Sequence, residues 1–292
     1  MLIARYSDAL GVHLGVVEGS TVRPIDTSEM SLPEDASRIG VAALTATGWT
    51  DTQPLALGEP RPLDSVRLLA PVPRPEKILC VGVNYGLHAA ESNIAPPPFP
   101  EIFAKFPNAI QDPGGPIVLL KGDPAVDYEG ELTVIIGSPA RDLTPDNALG
   151  AVAGYTIGND VSARTVQLRV TQWVTGKTPD TFCPIGPWMA TAGSFGDPQT
   201  VALATTIGGE TLQEASTAQM IFTVPHLLVY LSSLLTLRPG DLILTGTPAG
   251  VGHSRKPPRY LAEGEVVEIS IERIGTLRNP VVRDAGSQRG LA

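Results

Sequence analysis

Carboxylates recur at alternate positions in Asp127-Tyr128-Glu129-Gly130-Glu131, and the chain then runs into the apolar stretch Leu132-Thr133-Val134-Ile135-Ile136. Side chains alternate along a strand, so Asp127, Glu129 and Glu131 are expected to share one face. Alone, such a stretch is an ordinary solvated strand face. The apolar continuation argues otherwise, because a strand buried on both sides places the acids at its start close to the core. Neighbouring carboxylates repel there and require a cation. A further acid, Asp160, stands in Gly158-Asn159-Asp160-Val161-Ser162, after a second apolar strand. An Asn or Asp at such a point also serves well as a helix N-cap. Taken with Glu129 and Glu131, Asp160 completes a set of three oxygen donors. Hard donors of this kind select Mg2+, Mn2+ or Ca2+ over zinc and leave positions open for water or a chelating substrate; Mg2+ or Mn2+ is the expected ion.

His88 and Glu91 stand three apart, as neighbours on one face of a helix, so that the carboxylate can fix the imidazole tautomer and raise its basicity. That arrangement builds a general base, although a surface His and Glu pair has the same spacing. The Pro96-Pro97-Pro98 run that follows suits a rigid linker or the arm of a lid. Cys183 invites a Cys/His nucleophile reading. Its neighbours Phe182, Ile185 and Trp188 instead suggest a buried thiol packed as a small apolar group. The glycines of Thr245-Gly246-Thr247-Pro248-Ala249-Gly250-Val251-Gly252 resemble a phosphate loop only loosely, since no Lys-Ser/Thr ending follows them.

The elements that position these groups are short strands. Thirty glycines and 28 prolines in 292 residues imply many turns. Residues 1–70 alternate apolar and polar positions as a small β-rich N-terminal meander, with room for a short helix between Pro33 and Thr47. Proline-rich segments around residues 60–75 mark the boundary with a second domain, 71–292. Lys77 to Gly82 reads as a buried strand leading into the His88 segment, and Glu131–Gly137 and Ala151–Ile157 read as interior strands of two sheets or one curled sheet. Val224, Leu227, Leu228, Leu231, Leu234 and Leu235 repeat at helical spacing, with Pro225 in the first turn and Arg238-Pro239-Gly240 as the stop, so this helix packs on the sheet as core. Val266–Ile271 alternates again, a last strand follows Gly275-Thr276, and the polar tail after Val282 is expected to fray.

A hydrophobic fraction of 42% against 17% charged residues is a globular balance. A net charge of -9, with no Lys/Arg cluster interleaved with aromatics, excludes nucleic acid as the expected partner and favours a metal cation. The most apolar later stretch, Val224–Leu237, is too short and too interrupted to span a bilayer. The start has no charged region followed by an apolar run, so no signal peptide is expected. Two cysteines, Cys80 and Cys183, make no disulfide framework, and the cytoplasm is the expected compartment.

Several segments now stand in a recognisable order: Val81-Gly82-Val83-Asn84-Tyr85 with His88 and Glu91, then Asp127-Tyr128-Glu129-Gly130-Glu131-Leu132, then Gly154 through Asn159-Asp160-Val161-Ser162-Ala163-Arg164. Gln172-Trp173, Gly176-Lys177, Asp180-Thr181-Phe182-Cys183-Pro184-Ile185-Gly186-Pro187 and Thr245-Gly246-Thr247-Pro248 complete it. This order resembles the fumarylacetoacetate hydrolase family over roughly residues 75–282. The resemblance implies a mixed α/β, predominantly β catalytic domain built on a rolled mixed sheet, preceded by a smaller N-terminal region and assembled as a homodimer. It implies that Glu129, Glu131 and Asp160 bind the metal and that His88 and Glu91 activate water on a segment closing over the substrate. Lys177 would neutralise oxyanion charge, Arg164, Gln167 and Thr247 would contact the substrate, and Lys105 matches a family lysine. Thr165 stands where the family commonly has Asp, and Gly208-Gly209 replaces Asn-Gly; neither change removes a metal ligand.

The expected activity is metal-dependent hydrolysis of a carbon-carbon bond in a small 1,3-dioxo or 2-oxo acid of the acylpyruvate or fumarylacetoacetate type. The alternatives are a decarboxylase or keto-enol isomerase of a 2-oxo acid, of the oxaloacetate or 2-hydroxyhepta-2,4-diene-1,7-dioate type, and a catalytically silent metal-binding homologue.

Overall fold

A computed structural model describes residues 1–283. At the N-terminus the alternating pattern folds as expected: Leu2–Asp8, Gly11–Glu18 and Thr21–Pro24 pair as an antiparallel meander. Arg61–Pro62 extends its edge, and Arg67–Leu69 pairs with the first strand. The helix expected between Pro33 and Thr47 is split into Ala36–Ile39 and Ala42–Ala46. The break falls at Gly40, where φ is 57° and a Cβ would lie 2.0 Å from Pro71 O.

The first strand also pairs with Cys183–Thr191 through Leu2↔Ala190 and Ile3↔Met189, so the meander runs on into the main sheet. Beyond Cys183–Thr191 come Val152–Asn159, Gly130–Ile136, Leu242–Leu244, Ile78–Gly82 and Glu101–Lys105. Leu242–Leu244 runs parallel to Ile78–Gly82 while its other neighbour is antiparallel, so the sheet is mixed. Every residue of Gly130–Ile136 and Val152–Asn159 is buried, as their uninterrupted apolar character predicts.

A second, five-stranded sheet packs against this one, in the order Glu210–Ser216, Ala202–Ile207, Val266–Ile271, Gly275–Arg283, Ile117–Leu119. Leu203, Val267 and Ile269 from this sheet share a core with Leu132, Val134 and Ile157 from the main sheet. The fold is therefore mixed and predominantly β.

The helix read from the leucine spacing spans Val224–Leu234. Thr223 Oγ1 caps it by accepting from His226 N, Pro225 sits in its first turn, and Val224, Leu227, Leu228 and Leu231 are buried. Leu234, expected in the core, is 60% exposed. The helix ends there, Leu235 is already extended (φ -145°, ψ 158°), and Leu237 fills the core in its place. No described helix is long and apolar enough to cross a membrane. The tail expected to fray lies, from residue 284, outside the described residues.

Candidate functional site

Strand pairing brings the three metal candidates together. Gly130↔Asn159 and Glu131↔Gly158 set two strand ends side by side, and Asp160 N donates to Glu129 O at 2.9 Å. Glu129, Glu131 and Asp160 are buried and offer oxygens that all lie within 4.8 Å of one another. This burial excludes a solvated strand face. Asp160 is no N-cap either, since its Oδ1 accepts from Lys105 Nζ at 2.5 Å and its Oδ2 from Lys177 Nζ at 2.7 Å. Tyr128 and Glu129 separate the strand Val126–Asp127 from Gly130–Ile136. Asp127 lies outside the triad but shares a guanidinium with Glu129: Arg164 Nε and Nη2 donate to Asp127 Oδ2 at 2.9 and 2.8 Å, and Nη2 also donates to Glu129 Oε1 at 2.5 Å.

The charges do not balance. Four buried carboxylates, on Asp127, Glu129, Glu131 and Asp160, face three buried cations, on Lys105, Arg164 and Lys177. Burial alone would raise the pKa of Glu129, but Lys177 at 2.8 Å and Arg164 at 2.5 Å outweigh it and hold the carboxyl well below its usual range. Glu131 has no ion pair among the described residues, and burial together with the neighbouring Asp160 and Glu129 pushes its pKa well up. For Lys177 burial lowers the pKa, yet Asp160 and Glu129 more than compensate and the ammonium is retained. A hard oxygen donor set with one carboxyl that no protein cation pairs among the described residues fits a divalent cation.

The glycine-rich loop cradles anions, and the anions are the protein's own carboxylates. Gly246 N donates to Glu131 Oε2 at 2.7 Å, Gly250 N to Glu91 Oε2 at 2.9 Å and Gly252 N to Asp127 Oδ1 at 2.8 Å. Positive φ at Gly246 (98°) and Gly250 (106°) turns the amides inward. Thr247 Oγ1 donates to Gly130 O at 3.0 Å and accepts from Gln213 Nε2 at 2.7 Å, which fixes its hydroxyl at the cavity wall.

His88 and Glu91 lie on the short helix Gly86–Glu91, and His88 Nδ1 is 2.7 Å from Glu91 Oε1. With the carboxylate accepting at Nδ1, Nε2 is the free proton acceptor of the ring. Buried Asn84 anchors the start of this segment: its Nδ2 donates to Thr245 O and Phe222 O, and its Oδ1 accepts from Phe222 N. A single cavity of about 510 Å³ is lined by His88, Glu91, Glu129, Glu131, Arg164, Gln167, Lys177 and Thr247. Asp127, Asp160 and Lys105 are not among the residues that line it. Cys183 is fully buried away from it, and burial pushes its thiol up to about 12, as expected of a packing thiol.

Some contributors had no local signal in the sequence. Gln213 sits on a strand of the second sheet, 83 residues from Gly130, and accepts from Gly130 N at 3.0 Å. Phe103 lies 5.0 Å under Lys177 Nζ and edge-on to Trp173. Arg255, on the far side of the glycine loop, also lines the cavity.

The family model described as fumarylacetoacetate (FAA) hydrolase C-terminal matches residues 77–282, and one described as Rv2993c-like, N-terminal matches residues 1–71. The chain is 41% identical over 279 residues to the mitochondrial oxaloacetate tautomerase FAHD2A of Bos taurus, covering 93% of this chain and 88% of that one. It is 42% identical over 284 residues to protein Rv2993c of Mycobacterium tuberculosis, covering 97% and 98%. The crystal structure of 2-hydroxyhepta-2,4-diene-1,7-dioate isomerase from Mycobacterium marinum matches with a TM-score of 0.79 at 38% identity, over 98% of this chain and 100% of that one. Its ordered segments, its fold and these matches agree: the chain belongs to the fumarylacetoacetate hydrolase family.

Proposed function

We propose that this chain is a metal-dependent keto-enol tautomerase of a small 2-oxo dicarboxylic acid of the oxaloacetate type. The observation that carries the reading is one cavity lined by His88, Lys177 and two carboxylates of the buried triad, Glu129 and Glu131, with Asp160 directly behind its wall. The likeness to a relative named oxaloacetate tautomerase and to one named as an isomerase favours proton transfer over the carbon-carbon hydrolysis expected from the sequence.

Glu129, Glu131 and Asp160 would hold Mg2+ or Mn2+, which when bound supplies electron withdrawal from a chelating 2-oxo carboxylate. Arg164, Gln167 and Thr247 orient the substrate from the adjoining wall. In enolisation His88 Nε2 takes a proton from C3, the electron pair moves onto the C2 oxygen, and that oxygen takes up a proton from solvent while the imidazolium returns its own to solvent. Glu91 keeps the imidazole in the tautomer that accepts at Nε2. Lys177 Nζ stabilises the negative charge as it develops on oxygen. Only a C–H bond breaks and no water is consumed, so the same residues serve both directions. Assembly as a homodimer is proposed with the family and is checked by sedimentation.

The same base would also activate water for attack on an acylpyruvate, which keeps hydrolysis as the second reading. The test follows enol-oxaloacetate by ultraviolet absorbance with Mg2+ or Mn2+ and with EDTA, for the wild type and for Glu129→Ala. Metal-dependent ketonisation lost in the variant supports the tautomerase. Cleavage of acetylpyruvate with oxaloacetate left untouched replaces it with the hydrolase, and release of CO2 as the fast reaction replaces it with a decarboxylase.

A further inference from the structure

Gly250 ties the second sheet to the His88–Glu91 pair. Its N–H donates to Glu91 Oε2 at 2.9 Å, while its carbonyl accepts from Arg255 Nε at 3.2 Å and from Tyr128 Oη at 3.0 Å. Arg255 reaches on with Nη2 to Leu212 O, 2.6 Å away on the strand Glu210–Ser216. The glycine is pressed against the same carbonyl: a Cβ on Gly250 would lie 2.1 Å from Leu212 O. Arg255 thus spends its fork on two backbone carbonyls, and its nearest acid, Glu210, is 3.9 Å away and 66% exposed. At that distance and exposure the ion pair contributes little, whereas the planar guanidinium holds two acceptors in fixed relation.

We propose that Arg255 is a positioning residue for the His88–Glu91 dyad. By clamping Gly250 O and Leu212 O together it fixes the Gly250 amide, the amide fixes Glu91, and Glu91 orients the imidazole. The rest of the site is held by other contacts. Gly252 N and His253 N are anchored on Asp127, Arg164 is held by Asp127 and Glu129, and Lys177 by Glu129 and Asp160. Loss of the clamp therefore loosens the base and leaves the contacts that hold Arg164 and Lys177 in place.

This inference rests on the dyad being the base of the proposed reaction, and the experiment separates the two. Arg255→Met, Arg255→Lys, Glu210→Gln and His88→Asn are compared in the full chain with Mg2+, together with the proton resonance of His88 Nδ1–H, which reports the bond to Glu91 without turnover. Arg255→Met is expected to lower kcat on the order of 10- to 100-fold with KM unchanged, and to shift or broaden the Nδ1–H resonance. Arg255→Lys keeps the charge but not the fork and is expected to behave like Arg255→Met. Glu210→Gln is expected to match the wild type. Full activity in Arg255→Lys, or a loss in Glu210→Gln, would make charge rather than the clamp the cause and overturn the inference. An unmoved resonance with wild-type kcat in Arg255→Met overturns it as well. Full turnover in His88→Asn overturns the reading of the dyad itself, whatever Arg255 does.

Discussion

Lys105 Nζ donates to Asp160 Oδ1 at 2.5 Å with both side chains wholly out of water. The other oxygen of Asp160 is taken by Lys177, so this carboxylate is gripped on both sides. Removing one partner of a buried ion pair costs about 3–5 kcal/mol where the other is left uncompensated. Lys105→Met leaves Asp160 with Lys177 alone and is therefore expected to destabilise the metal-free protein by less than that. A bound divalent cation supplies the missing charge, so the deficit should shrink with saturating Mg2+. Urea unfolding with Mg2+ and with EDTA checks this, and an equal deficit in both would show that Asp160 does not face the metal.

Glu131 has no ion pair among the described residues, and the site holds one more buried carboxyl than buried cations, which disfavours its ionisation until a metal binds. Metal binding should therefore stabilise the fold by mass action, by about 2.7 kcal/mol at a concentration 100 times Kd. Glu131→Gln removes the ionisable carboxyl and one donor oxygen at once. It is expected to abolish the metal-dependent gain while leaving the apo protein as stable as the wild type or more so. Thermal unfolding over a range of Mn2+ concentrations measures both, and a variant that still gains stability with metal would remove Glu131 from the ligand set.

Much of this site was legible because it is local. The alternating acids followed by an apolar run placed Glu129 and Glu131 at the core, and the spacing of His88 and Glu91 paired them on one helical turn. The strand expected to carry Asp127, Glu129 and Glu131 is broken where Tyr128 and Glu129 leave the ladder, a break that residue types do not announce. Gln213 and Arg255 were invisible for a different reason. Their partners are set by the packing of the second sheet on the first, and neither lies in a segment whose composition signals chemistry. The glycine loop was half legible: inward amides do bind anions, but the anions are carboxylates brought from residues 91, 127 and 131.

Both cysteines are fully buried, and burial raises the pKa of each thiol, that of Cys183 to about 12. The reactive species is the thiolate. Iodoacetamide at pH 8 is therefore expected to leave both intact in the native protein and to label both in urea, which mass spectrometry resolves. Native labelling of Cys183 with loss of turnover would revive a nucleophilic role, and Cys183→Ala is expected to retain activity.

Gly246 joins two demands that one substitution tests together. Its φ of 98° disfavours any side chain, and a Cβ there would sit 2.6 Å from Asn84 Cβ and 3.3 Å from Val81 O. The strand Ile78–Gly82 and the anchoring Asn84 cannot retreat cheaply, so in Gly246→Ala the loop moves and draws its amide away from Glu131 Oε2. Contacts that orient a metal ligand are typically worth 10- to 100-fold in affinity, and a loss of about that size is expected in Mn2+ titrations followed by electron paramagnetic resonance. Gly264→Ala provides the comparison, because φ there is 87° but a Cβ would meet nothing within 4 Å. It carries the same backbone penalty away from the carboxylates and is expected to lose stability without losing metal affinity. Equal Mn2+ affinity in the two variants would mean that the Gly246 amide does not orient Glu131 for the ion.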